Sequence, residues 1–206
     1  MPNSTRLFLI RHGEVEEKYH RIFGGRIDMD LSPTGLEQAR AMANHLREVH
    51  LDAIYVSPMR RANRTAAAIS ATNGHVPIVA DQLREVDFGV WTGLRWEEVK
   101  ERYGVSAFDW LAQLERGVVP EAESLESFAG RVRQILKQVL EAHAGQRVAL
   151  VCHGGVVRML LAQMLELPLA RTVMFEIDYA SVSVVDKSPG GTEIQLLNYT
   201  PWRPNL

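Results

Sequence analysis

The sequence contains a single cysteine, Cys152, so it cannot build a disulfide framework, and a reducing compartment fits it. It also lacks an excess of either charge: 23 Lys and Arg stand against 25 Asp and Glu, a formal charge of -2. A near-neutral chain has no broad positive field of the kind that nonspecific nucleic-acid or anionic-membrane binding needs, so neither partner is expected. No apolar run approaches the ~18 to 20 residues of a membrane span. The run Leu7 to Ile10 is too short for a secretory core and ends at Arg11, so a cytoplasmic location is expected. Repeats and low-complexity segments are absent. Lysine is scarce as well, only Lys18, Lys100, Lys137 and Lys187, which leaves 19 arginines as forked donors suited to phosphate or carboxylate.

What is present is ordinary globular material, 46% hydrophobic and 23% charged, in a chain of 206 residues suited to one domain, residues 1–206, with an insertion. Leu7 to Ile10 reads as a buried strand opening onto Arg11-His12-Gly13-Glu14. Ser32-Pro33-Thr34 supplies a helix cap and first turn, with an apolar period running to about His50. Ala53 to Val56 is a second strand, and Ser57-Pro58 starts a helix to about Asn73. A third strand is expected over Val76 to Ala80. From Arg84 to Glu123 the pattern loosens, and Phe88, Trp91, Trp96, Tyr103, Phe108 and Trp110 fall there. This predicts a lid over about 88–123, unless those rings only pack the insertion against the body. Ser124 opens a long amphipathic helix to about His143, Val148 to Val151 is a central strand, and Gly154-Gly155 leads into another helix to about Leu167. The tail, punctuated by Pro189-Gly190-Gly191, reads as a hairpin. The expected fold is a three-layer α/β arrangement, with helices on both faces of a mostly parallel sheet. Ligands of such sheets bind beyond the carboxyl ends of the strands.

Four polar clusters follow strands: Arg11-His12-Gly13-Glu14, Ser57 to Ala62, Leu83 to Gly89, and Cys152-His153-Gly154-Gly155. The first has a chance probability of roughly half a percent at this composition, and its position adds to its weight. Such groups suit a phosphate monoester. A neutral His12 is a nucleophile toward phosphorus, provided its other ring nitrogen donates to a carbonyl or carboxylate. Arg11 and Arg61 are candidates for holding the equatorial oxygens, and His153 adds a donor if protonated. With these donors no metal cofactor is required. The leaving oxygen needs a proton, for which Glu85 is the preferred carboxyl group and Glu14 the competitor, the latter also suited to holding an arginine.

These motifs, with Phe23-Gly24-Gly25, Asp28 to Gly35 and Pro120-Glu121-Ala122-Glu123-Ser124, resemble the histidine phosphatase superfamily (phosphoglycerate-mutase-like, branch 1) over nearly the whole chain. The resemblance implies a phosphorylated His12, a phosphate pocket of Arg11, Arg61 and His153, and Glu85 as proton donor. Arg61 rather than Arg60 matches, because the family's arginine immediately precedes an alanine, here Ala62. Lys18 stands where members commonly carry asparagine, which makes it a pocket candidate alongside Gly154, Phe23 and Gly24. Mutases of the family carry a longer insertion with an arginine pair, whereas only Arg116 is found here, which favours a phosphatase of the α-ribazole or broad-specificity kind acting on a small phosphorylated metabolite, with phosphoglycerate mutase as the closest enzymatic alternative.

Three other readings stand beside it. Cys152 and Arg158 form a C-x5-R pattern like that of cysteine-dependent phosphatases, although an arginine at that spacing has a chance of roughly one in eleven. A non-catalytic phosphometabolite-binding module would keep the same pocket. Asp28 and Asp30 could attract a cation, but an Asp pair is common, and the remaining histidines show no ligand spacing. His20, Arg21, Phe23 and Arg26 are candidates for contacting the rest of a substrate. The sequence leaves the oligomeric state open.

Overall fold

A computed structural model of the chain describes residues 4–106 and 109–203, so Phe108 lies outside the described residues. Its elements are β1 (Thr5–Arg11), α1 (Pro33–His45), β2 (Ala53–Val56), α2 (Arg60–Asn73), β3 (Ile78–Val79), α3 (Trp96–Tyr103), α4 (Trp110–Glu115), α5 (Leu125–Ala142), β4 (Arg147–Cys152), α6 (Gly154–Leu165), β5 (Val182–Ser188) and β6 (Gly191–Tyr199). They form one six-stranded sheet in the order β3-β2-β4-β1-β5-β6. The first four strands in that order are parallel, and β5 and β6 complete the sheet antiparallel.

The continuous apolar runs of β1 and β4 follow from burial on both faces. Leu7 and Leu9 face a core shared with α5 and α6, whereas Phe8 and Ile10 face a second core shared with α1 and α2. Helices thus cover both faces, giving the expected three-layer α/β architecture. Two helices begin as the sequence indicates: the Ser32 hydroxyl accepts from the Gly35 amide, and the Ser124 hydroxyl accepts from the Ser127 amide.

The boundaries differ in three places. The third strand is two residues long, because β3 is a sheet edge paired only to β2, and Val76 beside it is 86% exposed. Helix α1 stops at His45, where Leu46 turns into the core. Helix α2 starts at Arg60 with Met59 as its cap, because the Ser57 side chain is buried against His153 instead of capping.

One register positions everything that follows. β1 and β4 are neighbours with Arg11 opposite Cys152, so the residues immediately after them, His12 and His153, leave the sheet side by side. The His12 amide donates to the Cys152 carbonyl at 3.0 Å, carrying the pairing one residue past the strand.

Candidate active site

The loop after β1 is fastened to its surroundings by backbone contacts that only glycine permits. A Cβ on Gly13 would lie 2.5 Å from the Gly35 carbonyl oxygen, and one on Gly35 would lie 2.0 Å from the Glu14 oxygen. Thr65 of α2 locks the same loop, accepting from the Gly13 amide at 3.1 Å and donating to the Arg61 carbonyl at 2.9 Å.

On this frame His12, 5% exposed, has its Nδ1 2.7 Å from the Gly13 carbonyl. Its Nε2 and the Nδ1 of His153 both face the Arg61 Nε–H, at 3.1 and 3.2 Å. That group can only donate, so both facing nitrogens are acceptors; the proton of His12 sits on Nδ1 and that of His153 on Nε2, which donates to Ser57 Oγ at 2.8 Å. Both imidazoles are held neutral, with pKa values well below the usual range, first by burial and then by Arg61. Burial also brings the Arg61 pKa down to about 10, which leaves it cationic at neutral pH. Its Nη1 and Nη2 donate to the carbonyls of Ile27 and Gly25 at 2.7 and 3.0 Å. The segment around Phe23-Gly24-Gly25 is therefore a bracket for this guanidinium. With Nε and one N–H on each terminal nitrogen used, two of the five N–H groups of Arg61 remain for a ligand.

Arg11 is held by Nη1 to the Ile177 carbonyl at 2.6 Å and by the Tyr179 ring 3.9 Å below its guanidinium carbon. Its Nε is buried with no hydrogen-bond partner. A buried charged donor without an acceptor is costly, and here it sits beside His12 at the floor of a cavity of about 400 Å³. Glu85 enters the same cavity from the other side. Its Oε1 accepts from the Val86 amide at 2.9 Å and its Oε2 from the Gly155 amide at 3.1 Å, in the first turn of α6.

Of the residues expected from sequence, Arg11, His12, Arg61, Glu85, Gly154, Phe23 and Gly24 line this cavity. His153 is fully buried behind it, its ring 5.1 Å from that of His12, and acts on the site through Arg61 and Ser57. Lys18 is not brought to the site; its ammonium pairs with Glu16 at 3.1 Å over the Tyr19 ring, because a short 3-10 turn points it to solvent. Glu14 neither lines the cavity nor holds an arginine, and instead accepts from the Ser32 hydroxyl at 2.8 Å. Arg21 pairs with Glu97 and Arg26 with Glu123, so neither faces the cavity, and His20 is hydrogen-bonded to the Val15 carbonyl. Asp28 and Asp30 are engaged by Arg60 and Arg64. Cys152 is fully buried in the core with its thiol pKa pushed up by desolvation, the opposite of what a thiolate nucleophile needs.

Three contributors were not among the expected site residues, although Ser57 belongs to the polar cluster after β2. Tyr179 lies in a loop without a motif. Ser57 reads as a helix start. Arg131 of α5 donates to the carbonyls of Gln82 and Arg84 at 2.6 Å and to that of Glu85 at 3.3 Å, and pairs with Glu123 at 2.6 Å, clamping the loop that carries Glu85. The available clue was an arginine three residues after Phe128, on the apolar stripe of the long helix, where a charge has no place without a partner.

The family model of the histidine phosphatase superfamily (branch 1) matches residues 7–200. The chain is 34% identical over 196 residues to phosphoserine phosphatase 1 of Hydrogenobacter thermophilus, covering 95% of this chain and 93% of that one. It is 26% identical over 200 residues to the adenosylcobalamin/alpha-ribazole phosphatase of Salmonella typhimurium, covering 97% and 99%. Among solved structures it superposes on a mycobacterial glucosyl-3-phosphoglycerate phosphatase with a TM-score of 0.83 at 27% identity, covering 95% of this chain and 99% of that one. The strand-end histidines, the bracketed arginine and these matches along almost the full length agree: this chain belongs to branch 1 of the histidine phosphatase superfamily and is an enzyme of the phosphatase type.

Proposed function

We propose that the chain hydrolyses small phosphomonoesters through a phosphohistidine at Nε2 of His12. The observation that carries this reading is the tautomer: the Gly13 carbonyl holds the proton on Nδ1, so the lone pair of Nε2 faces the cavity floor beside Arg61 and the unpartnered Nε of Arg11. In the first step Nε2 bonds to phosphorus, the bond to the alcohol oxygen breaks, and Glu85 protonates that oxygen. In the second step the Glu85 carboxylate takes a proton from water, which attacks phosphorus and releases inorganic phosphate from the imidazole. Arg11 and Arg61 hold the three outer oxygens, where charge is dispersed in the transition state. His153 keeps Arg61 and His12 in place.

Segment 88–123 serves in this reading as a lid that selects the alcohol, a role supported by Phe88, Trp96 and Trp110, which line the cavity above the phosphate-handling groups. Trp91 packs instead with Phe23 and Val99 in a small core of its own. Rapid mixing with a small aryl phosphate, quenching in alkali and peptide mapping should place the phosphoryl group on His12. A label on another side chain, or none during turnover, would overturn the proposal.

A further inference from the structure

Nine of the nineteen arginines, all within the described residues, are matched to acids. Arg6, Arg21, Arg26, Arg60, Arg64, Arg84, Arg102, Arg131 and Arg203 each pair with a carboxylate. The three that line the cavity, Arg11, Arg61 and Arg158, do not. Arg11 and Arg61 suffice for a phosphoryl group beside His12, which leaves Arg158 as a third, half-buried cation with no task in the proposed reaction.

Its position is fixed by α6. Gly154, whose ideal Cβ would lie 3.6 Å from the Arg11 Nε, is four residues before it, and Gly155, whose amide holds Glu85, is three before it. Spacings of three and four share a helix face, so Arg158 stands on the face that meets Arg11 and Glu85, one turn or about 5.4 Å further along. Nη1 donates to the Thr172 carbonyl, which orients the guanidinium and leaves four N–H groups. The side chain loses basicity through burial and the charge of Arg11, and regains some through Glu85, as expected of a cation facing the same space. Val173, Phe175 and Glu176, which follow Thr172 in the chain, line the same cavity, and Arg11, Arg61 and Arg158 are the arginines and lysines among its lining residues.

We infer that Arg158 is a specificity residue that binds a carboxylate on the alcohol portion of the substrate, and that the preferred substrates are phosphomonoesters of short hydroxy acids. A carboxylate separated from the ester oxygen by two carbons lies roughly 5 Å from phosphorus with bonds of about 1.5 Å, which matches one helical turn. The fork of Arg158 offers two parallel N–H groups to such a planar anion. This inference rests on the hydrolytic reading above.

The test compares two pairs of probes that differ at the carboxylate: 3-phosphoglycerate against glycerol 3-phosphate, and O-phosphoserine against O-phosphoethanolamine. The wild-type protein should favour the carboxylated member of each pair in kcat/KM. In Arg158→Gln that preference should fall by about tenfold to a hundredfold, mainly through KM, the size expected for losing a charge-assisted hydrogen-bonded pair. Arg158→Lys should keep part of it, which a purely structural role at Thr172 would not predict. A preference in the glycerate pair alone, or the serine pair alone, would still support the assignment and report on the neighbouring amine or hydroxyl. Equal kcat/KM within each pair for the wild type, or a ratio that Arg158→Gln leaves unmoved, overturns the assignment while hydrolysis through His12 stands. Absence of phosphate release from all four probes and from an aryl phosphate overturns both.

Discussion

Replacing Gly155 by alanine separates the placement of Glu85 from the stability of the fold. Gly155 lies in the first turn of α6, where alanine is conformationally acceptable, but its Cβ would fall 2.5 Å from Glu85 Oε1 and 3.2 Å from both Glu85 Cδ and the Trp110 ring. Relief to an ordinary contact of 3.4 Å requires the carboxyl group to retreat by roughly 0.9 Å. The atoms that must yield are the end of a flexible side chain, so unfolding stability should change by less than about 1 kcal/mol. The proton donor, by contrast, would leave its hydrogen bond to the Gly155 amide and its place in the cavity. A misplacement of about 1 Å costs on the order of 10²-fold, and general acid catalysis as a whole contributes about 10² to 10⁴. The expected result is a kcat/KM lowered roughly thirtyfold to a hundredfold for an alkyl phosphate, whose leaving oxygen needs the proton. For 4-nitrophenyl phosphate, whose leaving group needs little protonation, the loss should be below about fivefold. Gly130→Ala in α5, where an added Cβ meets nothing within 4 Å, is the matched control. If Gly155→Ala hydrolysed the alkyl ester within twofold of wild type, or lost both esters equally, Glu85 would not be the group that delivers the proton.

Arg131→Met leaves the mostly buried Glu123 with only the longer 3.5 Å pair to Arg26 and frees three loop carbonyls, so stability in urea should fall by about 3 kcal/mol, with turnover reduced through the loosened Glu85 loop; a loss under 1 kcal/mol would show that the clamp is dispensable. Acid should also weaken the fold early. Because His12 and His153 have depressed pKa values while unfolded imidazoles titrate near 6.5, the unfolded chain gains protons below that pH that the folded chain refuses. The stability these groups contribute is complete above about 6.5 and is lost as pH falls from there toward their folded values, at up to about 1.4 kcal/mol per pH unit for each. Urea midpoints measured at pH 7 and 5.5 should show this decline, and a flat profile would contradict the buried neutral pair.

The order of elements, the burial of β1 and β4 on both faces, and the helix caps at Ser32 and Ser124 were legible in the chain because they depend on local periodicity and capping chemistry. So were His12, Arg11, Arg61, His153 and Glu85 as candidates, since each follows a strand in a compact polar motif. Where each side chain points was not legible. Lys18 and Glu14 share the loop of His12, yet turn to Glu16 and Ser32 through backbone turns that residue spacing does not specify. Arg131 and Tyr179 reach the site from sequence-distant segments through contacts that exist only once α5 and the loop before β5 have packed.

The sequence by itself determined the class of fold and the chemical inventory, because strand and helix periods and the residues after each strand are local properties. Only the tertiary structure decided the protonation of the two imidazoles, the bracketing of Arg61 by the carbonyls of Gly25 and Ile27, the burial of Cys152 away from the cavity and the placing of Arg158 in the cavity without an ion-pair partner among the described residues. These depend on desolvation and on which donors meet which acceptors across the packed layers, and both are set when distant segments come into contact.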